Sequence, residues 1–299
     1  MQPRTEEQLR SNLKNPIFWL VGNTPLVRIS DRVYGKLETY NPTGSVKDRM
    51  ISYILTDALL SGDINDNTRL VEATSGNTGI SLSAFGAALG MRVTIIMPCN
   101  MSEERKSMMR TYGAEIIEVG PSDFQGAIAL REQMVKEDPD AWSPRQFEND
   151  LNVECHEKTT GPEIRNDVAA IRAEWDAFVS GAGTGGTMMG IQRFLGGRHR
   201  VVDCVLTVPA EDAAIHGIQG INDGADFLLE REEVDLIEEV KTQDASDRAR
   251  QLASELGLLV GISAGANVLA AEKYVRERDP DGIVVTMLCD RGERYMSIY

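Results

Sequence analysis

The sequence has few of the residues that staple a fold, hold a metal or grip nucleic acid. Four cysteines are spread over 299 residues, at Cys99, Cys155, Cys204 and Cys289, and no two of them form a CxxC pair. His156, His199 and His216 are the only histidines. That inventory excludes a disulfide framework and gives zinc no ligand cluster, so reduced thiols in a cytoplasm and no bound metal are expected. Basic residues are also short: 31 Lys and Arg stand against 46 Asp and Glu, for a formal net charge of -15 and a pI near 4.7. Such a chain repels phosphate backbones and anionic lipid, which argues against nucleic acid and membrane partners. The amino end, MQPRTEEQLRSNLKNP, lacks an apolar h-region and a small-residue cleavage site, so it reads as neither a signal peptide nor a spanning helix.

What is present is an ordinary globular composition, 42% hydrophobic and 26% charged, with no Pro/Gly/Ser tract to mark a long linker. The length suffices for one large or two medium domains with buried cores. From about Arg69 onward, short β-rich runs alternate with helical segments, the pattern of βαβ units and a parallel sheet. Strands are predicted at Arg69 to Thr74, Arg92 to Met97 and Glu115 to Val119, with helices at Asn77 to Leu89 and Glu103 to Tyr112. After the polar, proline-bearing stretch from Trp142 to Asn152 a second series follows. Its strands are read at Ala177 to Ser180, Val201 to Val208 and Gly282 to Cys289, and its helices at Thr187 to Leu195, Ala245 to Leu256 and Asn267 to Arg278. Two α/β domains meeting near residue 150 are the economical reading. Pro209 to Glu239 suits loops better than any long element.

Four constellations can carry chemistry. In NPTGSVKDR, Ser45 followed by Asp48 resembles a capping box, which predicts a helix opening here and running toward Leu60. Lys47 then lies in its first turn, in a row with Ile51, Leu55 and Leu59. For an arbitrary lysine the stem would simply pass those apolar groups to reach water. A partly desolvated amine at a helix start is, however, also a nucleophile toward an aldehyde, and position alone leaves both readings open.

The second constellation is SGAGTGGT, residues 180 to 187, between an apolar run and a helix start, where successive N–H groups can converge on an anion. Gly181, Gly183 and Gly186 also fit G-x-G-x-x-G, the dinucleotide fingerprint. A dinucleotide site needs an acid at the end of the next strand, yet Asp203 stands at its beginning, so a single phosphate fits better. Third, TSGNTG, residues 74 to 79, offers hydroxyl, amide and backbone donors at another helix start, a setting for a carboxylate. Fourth, GISAGA places Ser263 where its hydroxyl either meets a ring nitrogen or caps a helix starting near Asn267.

Together these residues resemble the cysteine synthase family (O-acetylserine sulfhydrylases) of fold-type II pyridoxal-phosphate enzymes. The matching stretches cover nearly the whole chain: GNTPLVRI from Gly22, NPTGSVKDR around Lys47, EATSGNTGISL from Glu72, MPCNMSEERKSMMRTYGAEII from Met97, HEKTTGPEI from His156, GTGGT from Gly183, GISAGA, and CDRGERYMS from Cys289. The runs from Met97 and Cys289 look more like the B type. One departure stands out: where B-type enzymes carry Arg-Arg-Trp, this chain has Gln219, Gly220 and Ile221, which implies a different entrance or lid for the second substrate.

The resemblance implies two three-layer α/β domains with mostly parallel sheets, of the tryptophan synthase β-like kind. It places an N-terminal domain at 36–149, with a mobile substrate-binding subdomain at about 75–135, and a C-terminal domain at 150–299, against which about 16–35 would pack. It implies pyridoxal 5'-phosphate as cofactor, carried by Lys47 as a Schiff base, with Lys47 then removing the substrate α-proton. Asn77 would face the cofactor's phenolic oxygen. Thr74, Ser75, Gly76, Asn77, Thr78 and Gln146 would hold the substrate carboxylate. Gly183, Thr184, Gly185, Gly186 and Thr187 would cradle the phosphate, and Ser263 would meet the ring nitrogen. The implied reaction is β-replacement, from O-acetylserine through a bound aminoacrylate to cysteine with sulfide as second substrate. A homodimer is implied, a complex with serine acetyltransferase is left open, and no regulatory extension is expected after Tyr295. Cystathionine β-synthase, cyanoalanine synthase and serine or threonine dehydratase share this chemistry and remain alternatives. A non-catalytic binding or regulatory protein and a nicotinamide oxidoreductase are alternatives of other classes.

Overall fold

The computed structural model describes residues 14–74, 76–196, 201–210, 218, 228–229 and 233–297. The chain divides into two compact units. One is Asn41–Arg145 together with the stretch up to Val21; the other is Gly22–Tyr40 with Gln146–Tyr299. A short helix, α1 (Pro16–Trp19), begins the first unit; Asn15 caps it by accepting the Ile17 N–H, and proline takes the first helical position, where no N–H is needed. Strands β1 (Leu26–Arg28) and β2 (Val33–Leu37) come next in the chain and belong to the second unit.

The first unit is built around four parallel strands: β3 (Arg69–Ala73), β4 (Arg92–Pro98), β5 (Glu115–Val119) and β6 (Ala141–Trp142), in the order β5-β4-β3-β6. Helices α2 (Lys47–Ser61), α3 (Asn77–Leu89), α4 (Glu103–Thr111) and α5 (Phe124–Glu137) accompany them. From Val93 onward every residue of β4 is buried, as expected of a parallel strand covered on both faces. Helix α3 is nearly all small or apolar and is buried over most of its surface; its serines are satisfied internally, Ser83 by the Gly79 carbonyl and Ser81 by Asp48. It stops at Gly90, whose φ of 71° is left-handed and suits glycine.

The second unit holds a six-stranded sheet in the order β1-β2-β10-β7-β8-β9. Its later strands are β7 (Trp175–Gly181), β8 (Asp203–Pro209), β9 (Leu236–Val240) and β10 (Ile283–Leu288), and only the β1/β2 pair is antiparallel. The helical elements are α6 (Leu151–Cys155), a π turn at His156–Thr160, α7 (Gly161–Ala170), α8 (Gly186–Phe194), α9 (Thr242–Leu256) and α10 (Ile262–Arg278). All six residues of β10 are buried, and the apolar core runs from Val33 and Val284 through Val179 and Val205 to Leu252 and Val268.

Several local expectations are corrected. No capping box forms at Ser45, because the Asp48 carboxylate turns instead to the Thr43 N–H (2.7 Å) and hydroxyl (2.5 Å). Helix α10 starts at Ile262, five residues before Asn267, so Ser263 lies inside its first turn. A glycine inside this helix has a packing reason: a side chain on Gly265 would collide with the Ala245 carbonyl of α9. Within Pro209 to Glu239, read as loop, the end of the segment enters strand β9. Helices α5, α6 and α7 and the π turn went unpredicted.

Candidate active site

In the first unit Lys47 is the first residue of α2, partly buried, with its N–H donated to Ser45 Oγ at 3.3 Å. Ile51, Leu55 and Leu59, the row beneath it, are all but inaccessible. The amine's stem therefore rises from apolar surface. The turn that presents it is fastened by Asp48, wholly buried, which accepts from Thr43 and also from the Ser81 hydroxyl of α3 at 2.7 Å. Asp48 thus ties the Lys47 turn to the helix that follows the TSGNTG loop.

That loop leaves β3 and enters α3. Thr74 and Thr78 are buried and Asn77 is half-buried; Thr74 donates its N–H to Ile96 O and accepts the Gly76 N–H on its hydroxyl at 3.1 Å. A Cβ at Gly76 would stand 2.6 Å from Arg105 Cδ, so the buried Arg105 stem backs directly onto this backbone. Ser75 lies outside the described residues, as do Gln219, Gly220 and Ile221.

In the second unit the segment from Gly183 to Thr187 links the end of β7 to α8, as its spacing predicts. Gly185 has φ +88°, and a side chain there would press on the Leu229 backbone; one at Gly186 would overlap Asn152 Oδ1. Bare backbone is thus required at both. Helix α8 begins at Gly186, whose own N–H goes to Thr184 Oγ1 at 3.3 Å, so the later N–H groups of its first turn are the ones a bound anion would meet. The β8 strand starts at Asp203 and ends at Pro209, with no acid at its end, and Asp203 accepts a hydrogen bond from the Tyr274 hydroxyl at 2.7 Å. Burial first, and that bond second, hold the Tyr274 phenol far above its ordinary range. Ser263 is buried, and Gln146 is buried with its carbonyl accepting from Asn152 Nδ2.

Comparison with known proteins shows the family. The model of the family described as pyridoxal-phosphate dependent enzyme matches residues 17–290. The chain belongs to that family. Among curated relatives, cysteine synthase B of Campylobacter jejuni is 40% identical over 293 residues, 93% of this chain and 95% of that one. Among solved structures, a hydrogen sulfide-producing enzyme from Fusobacterium nucleatum superposes with a TM-score of 0.87 at 36% identity, covering 98% of this chain and 91% of the other. An O-acetylserine dependent cystathionine beta-synthase from Helicobacter pylori gives a TM-score of 0.82 at 30% identity, over 94% and 96% of the two chains. The residues present suit the cofactor of this family: glycine is required at Gly185 and Gly186, which keeps bare main chain at the start of α8, where an anionic group finds N–H donors.

Three residues that hold these loops were not singled out from sequence. Asn152 donates to Thr184 Oγ1, His156 meets Thr187 Oγ1, and Asn267 accepts the Gly181 N–H (2.7 Å) while donating to the Met287 carbonyl (3.0 Å). An asparagine within the small-residue helix start GISAGAN was the one local hint. None of the four cysteines is bridged to another, two of them are buried, and no described helix is long and apolar enough to cross a membrane.

Proposed function

We propose that this enzyme makes L-cysteine by β-replacement, exchanging the acetate of O-acetyl-L-serine for sulfide, as a homodimer in the cytoplasm. When bound, pyridoxal phosphate supplies an aldehyde for amine capture and an electron sink for the substrate Cα. Lys47 would hold the cofactor covalently at rest; its freed amine would take the Cα proton as acetate departs from Cβ with its bonding pair, and would return that proton to Cα as hydrosulfide forms the new C–S bond. Thr74, Ser75, Gly76, Asn77, Thr78 and Gln146 bind the substrate carboxylate, and Asn77 also faces the cofactor's phenolic oxygen. Gly183, Thr184, Gly185, Gly186 and Thr187 hold the phosphate. Ser263 offers the ring nitrogen a hydroxyl, which, unlike a carboxylate, does not compel that nitrogen to stay protonated, so loss of a β leaving group is favoured over transamination. Closure of the 75–135 segment over bound substrate excludes water.

The observation that carries this reading is Lys47 at the head of α2, over an apolar row and beside the Asp48 anchor, in a chain 40% identical to a cysteine synthase B. Four cysteines without a disulfide suit a reducing compartment. Borohydride reduction followed by peptide mass spectrometry is expected to find a pyridoxyl group on Lys47, and a label elsewhere sinks the assignment. The relatives that release hydrogen sulfide or form cystathionine favour a second reading, in which another thiol or water replaces sulfide. Supplying O-acetylserine, O-phosphoserine and serine, each with sulfide, homocysteine or neither, ranks the two; cysteine as the main product only from O-acetylserine and sulfide supports the first.

A further inference from the structure

Behind the phosphate loop, two buried polar residues one helical turn apart face its two threonines. Asn152 lies in α6, and His156 opens the π turn that follows. The two amide hydrogens of Asn152 go to Gln146 O and to Thr184 Oγ1, both at 2.9 Å. His156 Nε2 is 3.2 Å from Thr187 Oγ1, and its Nδ1 is 2.8 Å from the Thr160 hydroxyl. The backbone makes these contacts available. Gly186 and Gly190 share a face of α8; a Cβ on the first would overlap Asn152 Oδ1, and one on the second would stand 2.5 Å from His156 Cβ. Only a helix bare at both positions can lie this close to the α6 and π-turn segment.

A hydroxyl has one proton to give and two lone pairs to fill. At Thr184 two N–H groups occupy the lone pairs, that of Asn152 at 2.9 Å and the main-chain N–H of Gly186 at 3.3 Å. What remains is the proton, free to point at an anion. The same result at Thr187 requires the imidazole to donate through Nε2–H, with Nδ1 accepting from Thr160. We infer that Asn152 and His156 are positioning residues that orient the Thr184 and Thr187 hydroxyls as donors to the cofactor phosphate, with His156 in its Nε2–H tautomer. The inference rests on the reading of Gly183 to Thr187 as the phosphate cradle. It goes further by naming what gives that cradle its polarity, and by tying it through Asn152 to the backbone of Gln146.

The test compares pyridoxal phosphate with pyridoxal, which lacks the phosphate, by titrating full-length protein stripped of cofactor and following cofactor absorbance. The ratio of the two dissociation constants isolates the contribution of the phosphate. Asn152→Asp presents only lone pairs to Thr184 and turns its proton back; His156→Phe removes the donor to Thr187. Each is expected to shrink the ratio about 10-fold or more, in line with the loss of a charge-assisted hydrogen bond. His156→Gln, whose amide N–H reaches the place of Nε2–H, is expected to restore most of it. Independently of any variant, 15N spectra of histidine-labelled holoenzyme, with three histidines to assign, are expected to show His156 protonated at Nε2 and bare at Nδ1. An unchanged ratio in natively folded Asn152→Asp and His156→Phe overturns the inference, and so does an Nδ1–H tautomer. If the unaltered protein binds pyridoxal as tightly as pyridoxal phosphate, the cradle reading itself fails, which is a separate result.

Discussion

The turn that presents Lys47 and the loop from Gly183 to Thr187 are fastened by different chemistry. Behind Lys47 stands a carboxylate, Asp48, wholly buried and accepting from the Thr43 N–H, the Thr43 hydroxyl and the Ser81 hydroxyl. Behind Gly183 to Thr187 stand side-chain amides and an imidazole: Asn152, Asn267 and His156. A carboxylate can only accept, so it suits a point where several donors converge. An amide gives and takes at once. Asn267 binds the Gly181 N–H through oxygen and the Met287 carbonyl through nitrogen, and adds no negative charge behind an anion. A buried carboxylate fastens the Lys47 turn, whereas neutral amides and an imidazole stand behind the 183–187 loop; under the proposed reading, a carboxylate there would repel a phosphate at low dielectric.

The largest effect expected from breaking this arrangement is at the amine itself. Lys47→Ala should lower turnover by on the order of 10³-fold or more, the scale for loss of a covalent and proton-transferring group, while the urea midpoint moves little. Steady-state cysteine formation and urea denaturation of the same preparation measure both. Undiminished turnover would remove Lys47 from the chemistry.

Exchanging the two kinds of anchor comes next. Asn267→Asp places a carboxylate against the Met287 carbonyl, where neither oxygen has a proton to give, and Asn267 is wholly buried. A loss of about 3 kcal/mol in unfolding free energy is expected, on the scale for an uncompensated buried polar or charged group. The reverse exchange is milder. Asp48→Asn keeps one acceptor oxygen for the Thr43 and Ser81 hydroxyls and turns an NH2 toward the Thr43 N–H, for about 1–2 kcal/mol. Denaturant midpoints order the pair, and an Asp48→Asn loss equal to or larger than that of Asn267→Asp would show that charge is the more critical anchor.

These anchors also mark where sequence reasoning ran out. The β3-α3-β4-α4-β5 run was legible because each element follows a local period, and its observed bounds fall within a residue of those read from Arg69 to Tyr112. Lys47, Thr74, Asn77 and the 183 to 187 segment stand at helix starts because glycine, proline and hydroxyl residues announce such starts locally. The anchors answer to distance instead. Asn152 finds Thr184 across 32 positions and Asn267 finds Gly181 across 86, separations that no window on the sequence spans. Asp48 misled for the same reason: a local capping role was read for a carboxylate whose third donor, Ser81, lies 33 positions away. Helix α6 and the π turn were missed because five-residue elements carry too little periodicity to register, although they place Asn152 and His156.

The smallest effect tests the comparison at the protein surface, where charge does reappear behind the phosphate loop. Asp150, just before α6, takes a two-pronged hydrogen bond from Arg193 of α8, at 2.7 and 3.0 Å. That bond holds the Asp150 carboxyl below its ordinary range. A depressed folded-state pKa adds stability that is fully present above the unfolded value, near 4, and fades as pH falls through the folded one. The side chains are 66% and 38% exposed, so solvent screens the pair heavily and about 0.5 kcal/mol is expected from it. Asp150→Asn should therefore lower the urea midpoint slightly at pH 7 and low salt. The difference should narrow in 1 M salt, and again as pH falls below about 4 and through the depressed folded-state value, where the unaltered protein also loses the charge. A deficit that stayed constant across pH and salt would mean that Asp150 acts through packing, and that charge has no part in bracing α6 against α8.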